Sequence, residues 1–304
     1  LRSPAAKQLD QNLVRDYRQT RRQLEDNKRR KPWEEYGLCI SEAGTNAPDT
    51  FILTRGSPEA EADQVQPAFP GILGGTAPEI APNPATNTTG RRLAFARWIT
   101  DPQHRLTSRV FVNRIWQHHF GRGIVRSPNN FGQMGEPPTH PELLDWLCRR
   151  FMDSGWDRKS LHRLIVTLAT YRQASAGDAA SRAKDPENVW LARGPRHRLP
   201  AEVLRDRALA VSGLLVGKIG GRSVKPYQPA GVWEDAGTGK SYSQDHGEAL
   251  YRRSMYTFWR RTAPPPSMLT FDAPSREVCT AKREATATPL QALVLLNDPQ
   301  FLEA

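Results

Sequence analysis

The sequence predicts a mainly α-helical protein with a helical bundle-like core, a few short strands and long loops rich in proline and glycine. Three observations support this prediction. Apolar residues recur at the helical spacing i, i+3, i+4, i+7 in successive segments between Arg91 and Gln173. The chain holds 25 Pro and 22 Gly among its 304 residues, so much of it should be loop. No run of about 18 apolar residues is present, so no membrane-spanning segment is expected.

The N-terminal segment, residues 5–31, has the pattern of one helix with a heavily charged face. It ends in the basic run Lys28-Arg29-Arg30-Lys31 before Pro32. Such a run could contact nucleic acid or an acidic lipid surface. It could equally be a solvated helix end, where cations suit the helix dipole. Because the first residue is Leu1 rather than Met, the chain is expected to be a piece of a longer protein.

Two short strands are expected next, at Tyr36–Ile40 and Thr50–Thr54. The following segment, Gly56–Thr89, is rich in Pro, Gly, Ala and Asn and has few apolar anchors, so it is predicted to be a linker loop. A first domain is therefore expected at residues 1–90, made of a basic helix, short strands and a Pro/Gly-rich linker.

Residues 91–304 are predicted to form a second, helical domain. Four amphipathic helices are expected first: Arg91–Thr100, Thr107–Phe120 ended by Gly121, a third opened by a capping box of Thr139 and Glu142, and Asp157–Gln173. The second, third and fourth of these helices have clear apolar stripes, which are in turn Val112, Ile115, Trp116 and His119; Leu144, Leu147, Cys148 and Phe151; and Leu161, Leu164, Ile165 and Leu168.

The rest of this domain has weaker signals. A fifth helix is predicted at Pro200–Leu215, and the aromatic-rich segment Tyr251–Arg261 is predicted to be a strand. Thr288 and Gln291 form a second capping-box signature, whose helix should run to Ala304.

The charge is strongly basic, with 43 Lys and Arg residues against 32 Asp and Glu, and a formal net charge of +11. Arginine dominates the basic residues, and its guanidinium binds carboxylate, sulfate and phosphate in a bidentate way. An anionic partner is therefore one interpretation. The alternative is ordinary solvated surface charge, because the cations are spread along the chain rather than gathered in one tract.

The three cysteines, Cys39, Cys148 and Cys279, lie far apart and follow no zinc-finger, haem-attachment or C-x-x-C spacing. The sequence therefore predicts no metal site and no disulfide scaffold, and it leaves open a single disulfide.

The predicted helix 107–120 carries a candidate binding face. His118 and His119 are adjacent, so their side chains diverge by about 100°. His119 lies on the apolar stripe and is interpreted as a core histidine with a hydrogen-bond partner. His118 lies one turn after Arg114, and with Asn113 and Arg109 it is predicted to form a polar rim that binds an anion or neighbouring loops.

Further candidates lie in loops. His140 lies with Glu136 just before a helix N-terminus, which suits anions, although both residues could simply fix the helix entry. His246 lies between carboxylates and is an acid/base or metal-ligand candidate. The segment 271–284 alternates charges and could form an ion-pair network or a site that includes a Cys279 of lowered pKa. Its candidate binding residues are Asp272, Arg276, Glu277 and Arg283.

Several strings together resemble a known family. They are Leu106-Thr107-Ser108-Arg109-Val110-Phe111-Val112-Asn113-Arg114-Ile115-Trp116-Gln117-His118-His119-Phe120-Gly121-Arg122-Gly123, Gly135-Glu136-Pro137-Pro138-Thr139-His140-Pro141, Ser154-Gly155-Trp156, Tyr171-Arg172-Gln173, Tyr251-Arg252-Arg253-Ser254, Phe271-Asp272-Ala273-Pro274 and Thr288-Pro289-Leu290-Gln291.

From Arg91 to Ala304 the chain is similar to the planctomycete-type PSD-one domain, domain of unknown function fifteen fifty-three. The resemblance implies the C-terminal part of a large exported bacterial protein, periplasmic or secreted, with a cytochrome-c-like domain upstream. Haem c would then belong to that upstream domain, and no cofactor is expected in this chain. The family supplies no catalytic residues to carry over.

Two functions are weighed, and the sequence leaves open whether the chain is an enzyme. The first is a binding or scaffolding module for an anionic polysaccharide, sulfated ones included, joined to upstream domains of the same polypeptide. The second is an enzyme that acts on carbohydrate, or a redox partner of the upstream cytochrome-c-like domain. It would need His118, His140, His246, Asp272, Glu277 and Cys279 to converge. Nucleic-acid binding through the basic N-terminal helix lacks any recognised motif and is the weakest hypothesis.

Overall fold

The computed structural model describes residues 10–29, 39–42, 44–237 and 239–304. The predicted fold class is confirmed: 44% of the described residues are helical, and they form twelve α-helices beside two antiparallel strands. Contacts group the chain into two compact units, residues 1–96 and 97–304. None of the described helices is long and apolar enough to cross a membrane.

The first unit contains α1 (Gln11–Arg29) and a two-stranded antiparallel sheet of β1 (Thr50–Leu53) and β2 (Glu61–Val65). β2 lies inside the segment Gly56–Thr89, which is predicted to be a linker loop, so the loop prediction is wrong at the residues of β2. Its five residues are all exposed and lack apolar alternation, and backbone pairing with β1 alone makes it a strand. Short 3-10 turns occur at residues 54–56, 71–73 and 84–86.

Two N-terminal predictions fall largely outside the described residues. The basic run predicted at 28–31 is described only as far as Arg29, where α1 ends. Of the strand predicted at Tyr36–Ile40, only Cys39 and Ile40 are described, and they have no regular secondary structure.

Next along the chain comes α2 (Arg91–Ile99), within which the boundary between the two units falls. The main core of the second unit is built by α3 (Thr107–Phe120), α4 (Pro141–Asp153) and α5 (Arg158–Thr167). The buried residues are Val112, Trp116, Ile124, Val125, Leu144, Leu147, Cys148, Phe151, Leu161 and Ile165. The predicted stripes of these helices are thus confirmed, with Ile115, Leu164 and Leu168 partly buried beside them.

Helix ends follow local chemistry. Gly121 ends α3 in the left-handed conformation at φ +79°, and its N–H donates to the Gln117 carbonyl. The predicted helix 157–173 is interrupted at Leu168, whose ψ of 141° separates α5 from α6 (Ala169–Arg172). Asp178 caps α7 (Ala179–Lys184) by accepting from the Ser181 N–H.

The capping box predicted for α4 is wrong. The N-cap is His140, and no side chain caps the helix. Pro141 occupies the first helical position, so the helix starts one residue later than a Thr139 cap would require. The Thr139 N–H and hydroxyl instead donate to the Ile124 carbonyl, at 2.9 and 3.3 Å.

A second core cluster lies among α8 (Ala201–Val211), α10 (Pro266–Thr270), α11 (Pro289–Asn297) and α12 (Pro299–Glu303), and buries Ala201, Met268, Phe271 and Ala273. The short α9 (Val232–Asp235) lies earlier in the chain. The Thr288–Gln291 capping box is confirmed. Its helix ends at Asn297 rather than running to Ala304, because Pro299 disfavours helical backbone at Asp298.

The strand predicted at Tyr251–Arg261 is wrong. This part of the chain forms 3-10 turns at 247–251 and 254–256 and two single bridges, at Arg252 and Thr257. Arg205 of α8, itself only 4% exposed, accounts for the difference. Its guanidinium donates to the carbonyls of Leu250 and Arg252, at 2.6 and 2.9 Å, so a buried cation binds oxygens that a strand partner would otherwise take.

Candidate anion-binding cleft

One large cleft of about 1360 Å³ lies within the second unit. It is bordered by the C-terminal half of α3, the turns between α7 and α8, and the segment that precedes α11. The charged and histidine side chains along it are Arg114, Arg122, Arg126, Arg182, Arg193, Arg196, Arg198, Lys282 and Arg283; Glu187, Glu202, Asp272 and Glu284; and His118, His140 and His197. Nine cations thus face four carboxylates, and we call this cavity the basic cleft.

The wall after α3 is shaped by Asn113, which is fully buried. Its side-chain amide donates to the Val125 carbonyl at 2.9 Å and accepts from the Val125 N–H at 2.8 Å. It thus makes the same two hydrogen bonds to the Val125 backbone that a residue on a neighbouring strand would make. A Cβ at Gly123 would lie 2.5 Å from the Val125 oxygen and 2.6 Å from the Asn113 Nδ2. Only glycine fits there. The two hydrogen bonds between Asn113 and Val125, which we call the Asn113 clamp, fix where Arg122 and Arg126 leave the loop.

Arg114 and His118 lie one helical turn apart on α3, and both line the basic cleft. Both are exposed, and within the described residues the His118 ring makes no hydrogen bond. Although the residue is exposed to solvent, surrounding protein atoms partly desolvate the ring, and this desolvation, followed by the charges of Arg283, Arg114 and His162, lowers the pKa of His118. The cleft therefore disfavours a further positive charge at this ring, as expected where cations already crowd together.

A second wall is the turn Asp185–Arg193, which we call the Trp190 turn. The carboxylate of Glu187 on this turn pairs with Arg122, at 3.0 Å, and with Arg126. Two of the nine cations thus share one carboxylate, and the two ion pairs dock the turn against the loop after α3.

The third wall is formed by residues 280–287. Asp272, in the left-handed region at φ +59°, pairs with Arg198 and accepts from the backbone and hydroxyl of Thr286. Arg283 pairs with Glu202 of α8 at 2.7 Å, and Gln117 of α3 donates to the Ala281 carbonyl at 3.1 Å. These contacts hold the wall against α3 and α8.

Five of the nine cations form no ion pair with a carboxylate in the described part of the chain; one of them, Arg193, instead donates to the carbonyls of Asp185 and Pro186, which leaves four. Arg114, Arg182, Arg196 and Lys282 are exposed, and in the described part of the chain none of them forms an ion pair. They lie on all three walls: α3, the α7–α8 region and the 280–287 segment. Glu284 is the cleft carboxylate that likewise forms no ion pair in the described part of the chain, so these four cations leave the cleft with a net positive potential.

Five of the predicted binding residues are brought together at this cleft: Arg114, His118, His140, Asp272 and Arg283. The other five are not. Asn113 is buried, so the predicted polar rim is wrong at that position. Arg109 pairs with Asp145 beside a separate cavity of about 190 Å³, and His246 is exposed elsewhere. Arg276 packs on the Trp259 ring at 4.3 Å, and Glu277 pairs with Arg261 at 3.3 Å.

His119 has the hydrogen-bond partner that the sequence predicted. Its Nε2 lies 2.8 Å from the Nδ1 of His162 on α5, but the ring is only partly buried beside the core. Burial, followed by the charges of His162 and His118, lowers the pKa of His119.

The six residues required by the enzyme hypothesis do not all converge. His118, His140 and Asp272 line the basic cleft, whereas His246, Glu277 and Cys279 do not. Asp272 is already engaged by Arg198 and Thr286. The described residues contain no group of three or more His, Cys, Asp or Glu side chains that could hold a metal ion.

Several cleft residues were missed by sequence reasoning. They are Arg122, Arg126, Arg182, Arg193, Arg196, His197, Arg198 and Lys282. The run Arg193-Gly194-Pro195-Arg196-His197-Arg198 is a local concentration of basic residues that could have pointed to this region.

The described chain is thus mainly helical, and its second unit carries a cleft with more basic than acidic side chains. The family model for PSD1, described as a protein of unknown function (DUF1553), matches residues 91–304, and the chain therefore belongs to this family. Neither a curated protein nor a solved structure matches the chain.

Proposed function

We propose that the second unit is a binding or scaffolding module that holds an anionic polysaccharide, sulfated ones included, in the basic cleft. The observation that supports it is the net positive charge of one cavity in which Arg114, Arg182, Arg196 and Lys282 form no ion pair and Glu284 is the unpaired carboxylate. Three of these four cations are arginines, which bind sulfate and carboxylate with paired N–H donors.

The size of the cleft favours an extended ligand. Pockets for small molecules typically enclose about 300–1,000 Å³. At about 1360 Å³ and bordered by three separate segments, the basic cleft exceeds that range. A chain with repeated anionic groups could contact the four cations together, whereas a single small anion would reach only some of them.

The setting of this module is also part of the proposal. The family resemblance implies an extracytoplasmic location and upstream domains in the same polypeptide, one of them cytochrome-c-like. A polysaccharide-binding module would then hold the parent protein on its target while another domain acts.

The test is binding of heparin, chemically desulfated heparin and neutral dextran, measured by isothermal titration calorimetry. We expect heparin to bind and neutral dextran not to bind. Replacing Arg114, Arg182, Arg196 and Lys282 together by Gln should weaken heparin binding by about fourfold to several hundredfold, since exposed ion pairs contribute roughly 0.2–1 kcal/mol each and 1.4 kcal/mol is tenfold.

A matched control keeps the same change in net charge. Arg150, Arg158, Arg163 and Arg207 are exposed on α4, α5 and α8 and do not line the cleft. Their replacement by Gln should leave binding within about twofold of the wild type, because distant exposed charges are screened by salt. Equal loss in both variants, or equal binding of heparin and dextran by the wild type, would contradict the proposal.

A further inference from the structure

We infer that His118 is an anion ligand of the basic cleft, which binds a sulfate or carboxylate group of the polymer together with Arg114 and takes up a proton as it does so. The inference rests on the proposed function and deepens it, because it names the side chains that hold one anionic group and makes binding depend on pH. Both residues are exposed, and both line the cleft.

The two side chains are neighbours on one face of α3. Residues four positions apart on a helix have about 5–6 Å between their Cβ atoms, so a guanidinium and an imidazole at this spacing can contact the same anionic group. Within the described residues Arg114 forms no ion pair and the His118 ring makes no hydrogen bond. The N–H donors of both side chains are therefore available to a ligand.

The segment 280–287 brings a further cation close to His118. Gln117, the residue before His118, donates to the Ala281 carbonyl at 3.1 Å and so fixes the backbone two residues before Arg283. Arg283 lines the cleft and uses one nitrogen to bind Glu202 of α8, at 2.7 Å. A guanidinium has five N–H donors, so this pair still leaves Arg283 with donors for a ligand.

The electrostatic surroundings of His118 favour an anion. Apart from partial desolvation, the charges that shift the pKa of His118 are those of Arg283, Arg114 and His162, and all three lower it, as positive groups do. The ring therefore lies at a point of positive potential, where an anionic group is stabilised. The charged and titratable groups that act on His118 or line the cleft beside Arg283 come from four segments: Arg114 and His119 on α3, His162 on α5, Glu202 on α8, and Lys282, Arg283 and Glu284 on the segment 280–287.

A bound anion reverses the balance at this ring. An opposite charge within about 4–6 Å favours the protonated imidazole, so the pKa of His118 is higher in the complex than in the free cleft. The complex then binds more protons than the free protein, and the affinity rises as the pH falls. The rise spans the range between the two pKa values and levels off below the pKa of the free cleft, which lies under the ordinary histidine value of about 6.5.

The test is isothermal titration calorimetry of a heparin oligosaccharide, whose sulfate groups stay charged, at about pH 5.5 and about pH 7.5 on either side of the histidine range. Proton uptake is measured between them, in two buffers of different ionisation enthalpy. We expect the wild type to bind about 1.5- to fivefold more tightly at the lower pH, since one further exposed ion pair forms, and to take up a fraction of a proton. His118→Gln should lose most of both effects. His118→Lys carries a permanent cation and should bind at the higher pH as tightly as the wild type does at the lower.

Two matched controls replace other exposed histidines. His140 also lines the cleft and His246 lies away from it, so His140→Gln and His246→Gln should both keep the pH dependence of the wild type. Circular dichroism at both pH values checks that each variant is folded.

The outcomes separate this inference from the proposed function. If the wild type binds the oligosaccharide at neither pH, the proposed function fails. If it binds with the same affinity at both and takes up no proton, only the role of His118 is overturned. Equal pH dependence in the wild type and His118→Gln also overturns that role, because a general gain of positive charge would then explain the rise. Loss of the pH dependence in His140→Gln alone would assign it to His140 instead.

Discussion

The Asn113 clamp gives a sharp prediction about stability. Asn113→Ala removes the two hydrogen bonds to Val125, whose backbone N–H and carbonyl then lie buried without these partners, since Val125 is 3% exposed. Each unsatisfied buried group costs about 1–3 kcal/mol, so we expect a loss of about 2–5 kcal/mol in the free energy of unfolding. That loss would identify Asn113 as a structural residue of the cleft wall rather than a ligand-binding one.

The assay is urea unfolding of the wild type and variants, extrapolated linearly to zero denaturant. Asn297→Ala is the matched control, because Asn297 donates one exposed hydrogen bond to the Leu293 carbonyl, at 2.8 Å. It should cost less than about 1 kcal/mol. If Asn113→Ala costs no more than Asn297→Ala, the reasoning about the clamp is refuted.

A second variant tests the same clamp from the other side. Gly123→Ala would place a Cβ within 3 Å of both the Val125 oxygen and the Asn113 amide, so it should also destabilise the protein. Gly217→Ala is its control, since a Cβ at Gly217 meets nothing within 4 Å. We expect that control to be neutral or slightly stabilising.

Two further predictions concern titratable groups. Burial raises the pKa of Cys148 to about 11, so a thiol reagent at neutral pH should label the exposed Cys39 and Cys279 in the native protein and reach Cys148 only after unfolding; rapid labelling of three thiols would contradict the described core. The lowered pKa of His119 means that the folded state disfavours protonation of its ring, whereas the ring of the unfolded chain takes up a proton below about pH 6.5. The contribution of this group to the free energy of unfolding is therefore complete above about pH 6.5 and is lost as the pH falls toward the folded pKa. Melting temperatures measured across that range should therefore fall less steeply for His119→Gln than for the wild type, and equal slopes would exclude a role for the His119–His162 pair.

The helices of the second unit were predictable because local signals determine them. α3 was predicted from Thr107 to Phe120 and is found with the same bounds, since apolar spacing and Gly121 specify both its buried face and its end. The break of the last helix was missed although Pro299 is visible in the sequence. The capping box at Thr288 specifies where that helix begins and carries no information about where it ends.

The misplaced strand at 251–261 has a different cause. Its aromatic and β-favouring residues match a strand locally, but the buried Arg205, 45 or more residues away, binds the carbonyl groups of Leu250 and Arg252 where the predicted strand would begin. Buried arginines are rare, so composition alone places Arg205 on the surface. No local pattern predicts such a contact.

The cleft itself was only half predictable. Five candidate residues came from motifs and do line it, but its walls come from α3, from residues 182–203 and from residues 271–287, which lie far apart in the sequence. Ion pairs decide which cations remain uncompensated, as the pairing of Arg283 with Glu202 shows, and these pairs form only in the folded chain. The Trp190 turn depends likewise on the buried Asp185.

The salt dependence of heparin binding tests the central claim most directly. If the wild-type cleft neutralises anionic groups with Arg114, Arg182, Arg196 and Lys282, the plot of log affinity against log salt should be steep, and the quadruple Gln variant should lose about one unit of slope per cation removed. The control with Arg150, Arg158, Arg163 and Arg207 replaced should keep the wild-type slope. Equal slopes for the wild type and the cleft variant would contradict a polyanion-binding cleft.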